Sequence, residues 1–249
     1  MKLFQKHGDD NAIFVLYDNR AVTPDMIPAW GFSCLIFLSG HAVLFDTGGD
    51  PDILRHNIEA MDLDLHLVST IILSHGHGDH VGGLSALLGH SHPMTVYFPR
   101  SFPKGFEAAI RRNGAVAAAV DGFTQIHPDL YTTGEMGVGI KEQSLVLRTI
   151  DGLVIITGCA HPGIVETVEA VNQRFGEQIH LFMGGFHLMG QSSTALTGIA
   201  RRLEALDVVR IAPCHCSGDA TIDFFEARWK INFISIGAGS VVPIPAPLM

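Results

Sequence analysis

A run of metal-binding side chains directly after an apolar strand constrains this sequence more than any other feature. The run 70–84 begins with Thr-Ile-Ile-Leu and then presents four ligand-capable side chains within six positions, His75, His77, Asp79 and His80. The two residues between them, Gly76 and Gly78, are both glycine, which lets the backbone coil closely around an ion. A solvated, histidine-rich loop is the alternative, but the ligand order, the preceding strand and the glycines together favour a metal site.

The spacing of these four side chains predicts two metal positions. His75 and His77 lie two apart in an extended segment, so their side chains project to the same side and can chelate one ion. Asp79 and His80 lie past the bend and can turn towards a second ion. A hard carboxylate mixed with borderline imidazoles suits Zn, Mn or Fe. We therefore expect two divalent metal ions, with Zn favoured over Mn or Fe, and we count Asp79 as a catalytic residue as well as a ligand.

Short apolar runs alternate with amphipathic segments along nearly the whole chain, a pattern typical of an α/β fold. The predicted strands are 12–17, 33–38, 42–45, 70–73, 95–98, 144–150, 153–157, 179–183, 208–212 and 232–236. The predicted helices are 51–61, 163–175, 194–206 and 219–229. No linker or repeat splits the sequence, so we expect a single domain over 1–249. The proline- and glycine-rich segment 99–139 is expected to be a lid or an insertion beside the site.

The composition indicates which kinds of partner and which cellular compartment to expect for this protein. The 249 residues are 47% hydrophobic, and their net charge of −9 argues against a nucleic-acid backbone as a partner. A small anionic substrate can still bind where metal ions supply positive charge. The first ten residues lack the apolar core of a secretion signal, no apolar run approaches the roughly 20 residues that span a bilayer, and the four cysteines are scattered. We expect a cytoplasmic protein with a small-molecule substrate and no membrane partner.

The run 75–80 resembles the His-x-His-x-Asp-His motif of the metallo-β-lactamase superfamily, and the rest of the chain is similar to that family too. The resemblance implies an α/β, layered fold, namely a four-layer αββα sandwich with two mixed sheets and the metals at one edge. The segment 45–48, Phe-Asp-Thr-Gly, resembles a strand end of the family, where Asp46 would orient a metal-binding histidine or its turn. Asp46 also fits an ordinary turn before two glycines, and the two interpretations are compatible.

The resemblance assigns two later ligands. His161, in Gly-Cys-Ala-His-Pro-Gly, would join His75 and His77 on one metal. His215, in Cys-His-Cys, would complete the second metal with Asp79 and His80.

Two cysteines flank the second of these later ligands. Cys214 and Cys216 suggest a zinc knuckle, but no second pair stands at the spacing of a zinc ribbon. We interpret both as flanks of the ligand loop.

One departure from the family pattern concerns the strand between the two later histidines. In many members this strand ends in Gly-Asp, and the aspartate bridges the metals, whereas the matching segment 181–187 has no carboxylate and ends in His187. We expect His187 near the metals, as a ligand, as support for a ligand or as a substrate contact, and we count it as catalytic. The alternative is an ordinary polar residue at a strand end.

The segments 158–164, 184–188 and 212–218 resemble one branch of the superfamily, which is named for a 7,8-dihydropterin-6-methyl-4-(β-D-ribofuranosyl)aminobenzene-5′-phosphate synthase. Such a resemblance transfers the fold and the metal site better than the substrate. We predict a dinuclear metal-dependent hydrolase that uses a metal-bound hydroxide on a small phosphorylated or ester substrate. A transferase similar to that synthase and a metal-binding module without catalysis are the alternatives.

Overall fold

The chain divides into two compact units, each built around its own mixed β-sheet. The computed structural model describes residues 11–88 and 94–248. The first unit contains the described residues up to Asp121 together with Gly237–Ala246. The second unit contains Gly122–Ile236 and the described residues from Pro247 onward.

The first unit has a seven-stranded sheet in the order β13-β1-β2-β3-β4-β5-β6. Its strands are β1 (Ala12–Tyr17), β2 (Ser33–Leu38), β3 (His41–Phe45), β4 (Val68–Ile72), β5 (Thr95–Pro99), β6 (Val116–Val120) and β13 (Val241–Pro243). The neighbours from β13 to β3 are antiparallel, and those from β3 to β6 are parallel. The carboxyl end of β4 therefore lies between the carboxyl ends of β3 and β5, where loops of parallel sheets usually carry binding residues.

Helices of the first unit follow from local signals. They are α1 (Pro51–Ala60), α2 (Gly78–Val81) and α3 (Phe106–Arg112), with 3₁₀ turns at Leu65–Leu67 and Gly82–Ala86. The carboxylate of Asp50 caps α1 by accepting from the backbone N–H groups of Asp52 and Ile53 at 2.8 and 3.1 Å. Proline at the first helical position has the φ angle that a helix needs. Leu54 and Ile58 of this helix are buried in the core of the unit.

The second unit has a six-stranded sheet in the order β12-β11-β10-β9-β8-β7. Its strands are β7 (Thr124–His127), β8 (Leu130–Thr132), β9 (Leu145–Thr149), β10 (Gly152–Thr157), β11 (Ile179–Gly185) and β12 (Val208–Cys214). The neighbours from β7 to β10 are antiparallel, whereas β10, β11 and β12 are parallel. Three carboxyl ends therefore lie side by side at one edge of this sheet.

Three helices complete the second unit. They are α4 (Ile164–Phe175), α5 (Ser193–Ala205) and α6 (Asp219–Trp229), with 3₁₀ turns at His215–Ser217 and Lys230–Asn232. Gly176 ends α4 in the left-handed conformation, with φ +65°, which is a common helix stop. Val168, Ile211 and Phe225 are among the fully buried side chains that form the core.

The sequence-based prediction of an α/β layered fold with two mixed sheets is confirmed. The predicted helices are all present, and the predicted strands other than 232–236 are present within two residues at each end. The prediction of a strand at 232–236 is wrong, because a 3₁₀ turn covers Lys230–Asn232 and Phe233 makes one isolated bridge to Ile211. The sequence analysis missed β6, β7, β8 and β13. Three of these strands have only three or four residues, and β6 is rich in alanine, so none of them shows the run of large apolar side chains by which strands were predicted.

The segment 99–139 is more regular than its prolines and glycines suggested. It contains α3 and the strands β6, β7 and β8, and its prolines and glycines stand at the ends of these elements or between them. Its role as a lid or an insertion stays a prediction, as does the assignment of 1–249 to a single domain.

The expectation about membrane-spanning segments can be compared with the described residues, whereas the expectation about a secretion signal cannot. Within residues 11–88 and 94–248, none of the helices combines the length and the hydropathy that crossing a membrane requires. The first ten residues, on which the expectation about a secretion signal rests, lie outside the described residues.

Candidate metal centre

The loop after β4 brings together the four side chains that the sequence singled out in the first unit. The ring centroid of His75 lies 4.6 Å from that of His77 and 4.2 Å from that of His80. A carboxylate oxygen of Asp79 lies 3.7 Å from Nε2 of His80. His75 and His80 are fully buried, Asp79 is half-buried and His77 is exposed, so the cluster reaches from the interior to the surface.

Asp46 holds the two buried histidines in place, directly or through Ser74. Its carboxylate accepts from the backbone N–H and the hydroxyl of Ser74 at 2.6 and 2.7 Å, and from Nδ1 of His80 at 2.7 Å. The hydroxyl of Ser74 lies 2.9 Å from Nδ1 of His75. Because an ionised carboxylate only accepts, Nδ1 of His80 carries the hydrogen, and Nε2 is the nitrogen that can coordinate a cation. Asp46 therefore lies where it can orient His80, and its role towards a metal ligand stays a prediction, while Ser74 was not singled out by the sequence.

Close backbone packing fixes the turn that carries the cluster. The carbonyl of His80 accepts from the backbone N–H and the hydroxyl of Thr47 at 2.7 and 2.9 Å. A β-carbon at Gly83 would lie 2.0 Å from the carbonyl oxygen of Thr47, and one at Gly31 would lie 2.4 Å from that of Asp79. These positions therefore require glycine, a constraint that appears only when distant segments pack together.

The second unit presents its candidate ligands at three neighbouring strand ends. Cys159 and His161 follow β10, His187 follows β11, and His215 and Cys216 follow β12. The register pairs Thr157 with Gly184 and Gly185 with Cys214, so the three loops leave the sheet at the same level. The ring centroids of His161 and His187 are 4.5 Å apart.

A buried glutamate that the sequence did not single out anchors the loop after β10. Oε1 of Glu142 accepts from the backbone N–H groups of Gly158, Cys159 and Ala160 at 3.0, 2.8 and 2.9 Å. Oε2 accepts from the backbone N–H of His161 at 2.8 Å. Glu142 is 1% exposed, so consecutive N–H groups surround a carboxylate away from solvent, as in backbone anion nests.

Three residues of these loops adopt a backbone conformation that is uncommon outside glycine. Ala160, His187 and His215 have φ values of +53°, +52° and +48°. Such strain is retained when the surrounding structure determines the conformation, and it concentrates at functional sites. The side chain of His187 is exposed, and its backbone N–H donates to Sγ of Cys216 at 3.3 Å.

The donor set of the first unit fits a divalent metal ion. Imidazole nitrogens and a carboxylate oxygen are the ligands of Zn, Mn and Fe sites, and carboxylate support of a histidine Nδ1 is typical of them. The assignments of His161 to His75 and His77, and of His215 to Asp79 and His80, join residues of the two units and stay predictions. The catalytic roles of Asp79 and His187 also stay predictions.

Comparison with known proteins gives consistent similarities. Residues 31–215 match the sequence profile of the metallo-beta-lactamase superfamily. The chain is 24% identical to the 7,8-dihydropterin-6-methyl-4-(beta-D-ribofuranosyl)-aminobenzene-5'-phosphate synthase of Methanocaldococcus jannaschii, over 86% of this chain and 91% of the synthase. It is 27% identical to an uncharacterised protein of the same organism, over 93% of this chain and 100% of that protein. A solved structure described as a metal-dependent hydrolase of the beta-lactamase superfamily has a TM-score of 0.80 and 26% identity, and covers 94% of this chain and 99% of its own.

Proposed function

Because this chain belongs to the metallo-beta-lactamase superfamily, we propose that it is a metal-dependent hydrolase of small phosphorylated or ester substrates. The observation that carries the proposal is the histidine cluster of the first unit. His75 and His80 are buried and held at Nδ1, while His77 is exposed. A cluster built only for stability is closed by protein ligands, whereas a catalytic one keeps a position open to water and substrate.

The four clustered residues of the first unit, His75, His77, Asp79 and His80, would hold divalent metal ions. The chemistry that bound divalent ions supply is Lewis-acid polarisation of a phosphoryl or carbonyl oxygen and a lowered pKa of coordinated water. We propose Zn²⁺ as the ion, with Mn²⁺ or Fe²⁺ as alternatives that a mixed imidazole–carboxylate set also accepts.

Hydrogen bonds from the residues around the cluster orient its histidine rings for metal binding. Asp46 keeps the hydrogen of His80 on Nδ1 and thereby presents Nε2 as the donor nitrogen. The hydroxyl of Ser74 donates to Asp46 and lies beside Nδ1 of His75, so Ser74 and Asp46 together hold the two buried rings. We propose that Asp79, half-buried beside His80, binds metal and contacts the attacking water or the substrate.

The second unit has a cavity of a size that suits a small substrate. Its volume is about 390 Å³, within the range of roughly 300–1,000 Å³ that ligand pockets have. His161 and His187 line one part of it, and Phe186 and Leu188 provide apolar walls. We propose that this cavity binds the organic part of the substrate.

A transferase similar to the dihydropterin synthase is the second candidate. The similarity of this chain to that synthase extends over 91% of the synthase, so it is not limited to the metal-binding motif. In this alternative the chain's histidines would anchor a phosphate or pyrophosphate group during formation of a new bond.

Turnover by the purified, metal-reconstituted protein tests the proposal. A panel of phosphodiesters, phosphomonoesters, carboxylic esters, lactones and dihydropterin-type substrates separates hydrolase from transferase. We expect metal-dependent hydrolysis of at least one ester class, and we expect His77→Ala to lower kcat/KM by about 10²-fold or more, because it removes a positioned group. His66→Ala changes another exposed histidine of the same unit and should leave turnover unchanged.

Three results would contradict the hydrolase proposal. Wild-type turnover by His77→Ala would exclude the cluster as the reaction centre. Turnover of the dihydropterin substrates alone would favour the transferase. Tight metal binding without turnover of any substrate would favour a metal-binding module.

A further inference from the structure

We propose that Phe102 is a specificity-determining residue, which forms an aromatic wall beside the histidine cluster of the first unit. The wall selects substrates that carry a flat aromatic group next to the ester or phosphoryl group that reacts. This inference rests on the proposed function and narrows its substrate class. The sequence analysis included position 102 only within the segment 99–139 and gave Phe102 no role.

The order of the strands brings Phe102 to the loop that carries the candidate metal ligands. β5 is the parallel neighbour of β4, so the loops after both strands leave the same edge of the sheet, and Phe102 lies in the loop after β5. A β-carbon at Gly76 would lie 3.8, 3.9 and 4.0 Å from three ring carbons of Phe102, which are the nearest atoms outside the chain neighbours of Gly76. One edge of the ring therefore lies beside the backbone that joins His75 to His77.

Neighbouring rings hold Phe102 in one orientation. Its ring centroid lies 5.7 Å from that of Phe98 and 4.8 Å from that of Phe106. Phe98 is 3% exposed and belongs to the core of the first unit. The backbone N–H of Phe102 donates to the carbonyl of Pro99 at 3.1 Å, which closes a turn directly after β5. The ring is therefore fixed before a ligand binds, and a preorganised surface loses little conformational entropy on binding.

Part of the Phe102 ring remains accessible next to the open side of the cluster. Phe102 is half-buried, whereas Gly76 and His77 are exposed. Aromatic rings attract one another in offset or edge-to-face arrangements, and such pairs contribute binding energy beyond the area that they bury. Because Phe102 lies against the residue that precedes His77, the part of a substrate that reaches it is the group next to the reacting atom. An aromatic group there gains a partner for its ring, which an aliphatic group of equal size does not.

Ligand binding to the full-length, zinc-loaded protein tests the proposal without requiring turnover. Phenylphosphonate and cyclohexylphosphonate carry rings of similar size next to a phosphoryl group, but only the phenyl ring is aromatic. We expect the wild type to bind phenylphosphonate more tightly in isothermal titration calorimetry. Phe102→Leu keeps an apolar side chain but removes the ring. It should lower the ratio of the two affinities by about 2–10-fold, which is the contribution of one aromatic pair.

Phe37→Leu is the matched control. Phe37 is another half-buried ring packed against the core of the first unit, but it pairs with Ala42 at the start of β3, at the end of the sheet away from the loop after β4. Its replacement should leave the affinity ratio unchanged. The zinc content of the wild type and of both variants, measured by mass spectrometry of the metal, should be equal.

Several results would overturn the aromatic wall. They are an absence of phenylphosphonate binding by the wild type, an unchanged affinity ratio in Phe102→Leu, and an equal fall of the ratio in Phe37→Leu. Loss of zinc together with the lower ratio would also overturn it, because the ring would then only support the metal-binding loop. Failure of the proposed function is a different result, namely no turnover of any ester or phosphate by a wild type whose phosphonate binding still depends on Phe102.

Discussion

Two buried carboxylates, Asp46 and Glu142, hold the loops that carry the candidate ligands, one in each unit. Asp46 accepts from Ser74 and His80, and Glu142 accepts from the hydroxyl of Thr157 and from four backbone N–H groups. Charge-assisted hydrogen bonds are stronger than neutral ones. Removing a buried acceptor leaves several donors unsatisfied at once. We infer that both loops keep their shape through these anchors.

Replacing Glu142 with glutamine should destabilise the fold and weaken metal binding by the loop after β10. The amide keeps the size of the side chain but turns an NH₂ donor towards backbone N–H groups that also donate. We expect Glu142→Gln to lower the free energy of unfolding by about 1–3 kcal/mol, measured by urea denaturation. Because this anchor holds the backbone of His161, a candidate ligand, we also expect the folded variant to bind Zn²⁺ about 10–100-fold more weakly, measured by competition with a chromophoric chelator.

Glu226→Gln is the matched control, since it makes the same change at an exposed position of α6 in the same unit. It should change neither quantity. Wild-type stability and zinc affinity in Glu142→Gln would show that the loop keeps its conformation without the carboxylate.

The parallel strands β10, β11 and β12 decide where the candidate ligands of the second unit emerge. Their register depends on close contact at Gly184, which has φ +118°. A β-carbon there would lie 2.0 Å from the carbonyl oxygen of Thr157 on the neighbouring strand. A strand end of this kind can be built only with glycine, for reasons of both dihedral angle and space.

Two glycine-to-alanine changes should therefore act in opposite directions. Gly184→Ala introduces backbone strain and a clash with Thr157, and it should lower the free energy of unfolding by at least about 1–3 kcal/mol. Gly198 is exposed within α5, and a β-carbon there would meet nothing within 4 Å. Gly198→Ala should raise the free energy of unfolding by about 0.5–1 kcal/mol, because alanine favours helix. Equal effects of the two changes in denaturant titrations would contradict this account of β11.

Each unit buries an apolar core of its own, which does not involve the candidate metal ligands. Phe14 and Leu44 are fully buried in the first unit, and Phe182 and Phe225 in the second. Burial of apolar surface is the main contribution to folding. We infer that the polypeptide folds without metal ions and that the ions add stability when bound.

Removal of metal tests this inference on the whole protein. We expect chelator-treated protein to keep its far-UV circular dichroism at 25 °C. We expect its Tm to be about 5–15 °C lower than that of metal-saturated protein, since a ligand at about 100–1,000 times its Kd stabilises by roughly 3–4 kcal/mol. Loss of the circular dichroism signal on chelation would mean that the metals are required for folding. Replacement of His66 with alanine should leave the shift in Tm unchanged.

Local spacing alone predicted the part of the candidate site that lies in one stretch of chain. His75, His77, Asp79 and His80 could be identified because their geometry depends on a few neighbouring residues after β4. The predicted helices and most strands followed from the same kind of short-range periodicity. Asp46 was singled out as a candidate because the segment 45–48 resembles a family motif at the end of a strand.

Only the tertiary structure decided which distant residues support that chemistry. Glu142 lies 16 to 19 residues from the N–H groups of Gly158 to His161 that it binds, and no local pattern marks it. The proximity of Cys159 to Cys216, 57 residues apart, depends on the order of β10, β11 and β12 and on the space at Gly185. Sheet order and close approach arise from packing between segments far apart in sequence, so the physical cause of these contacts exists only in the folded chain.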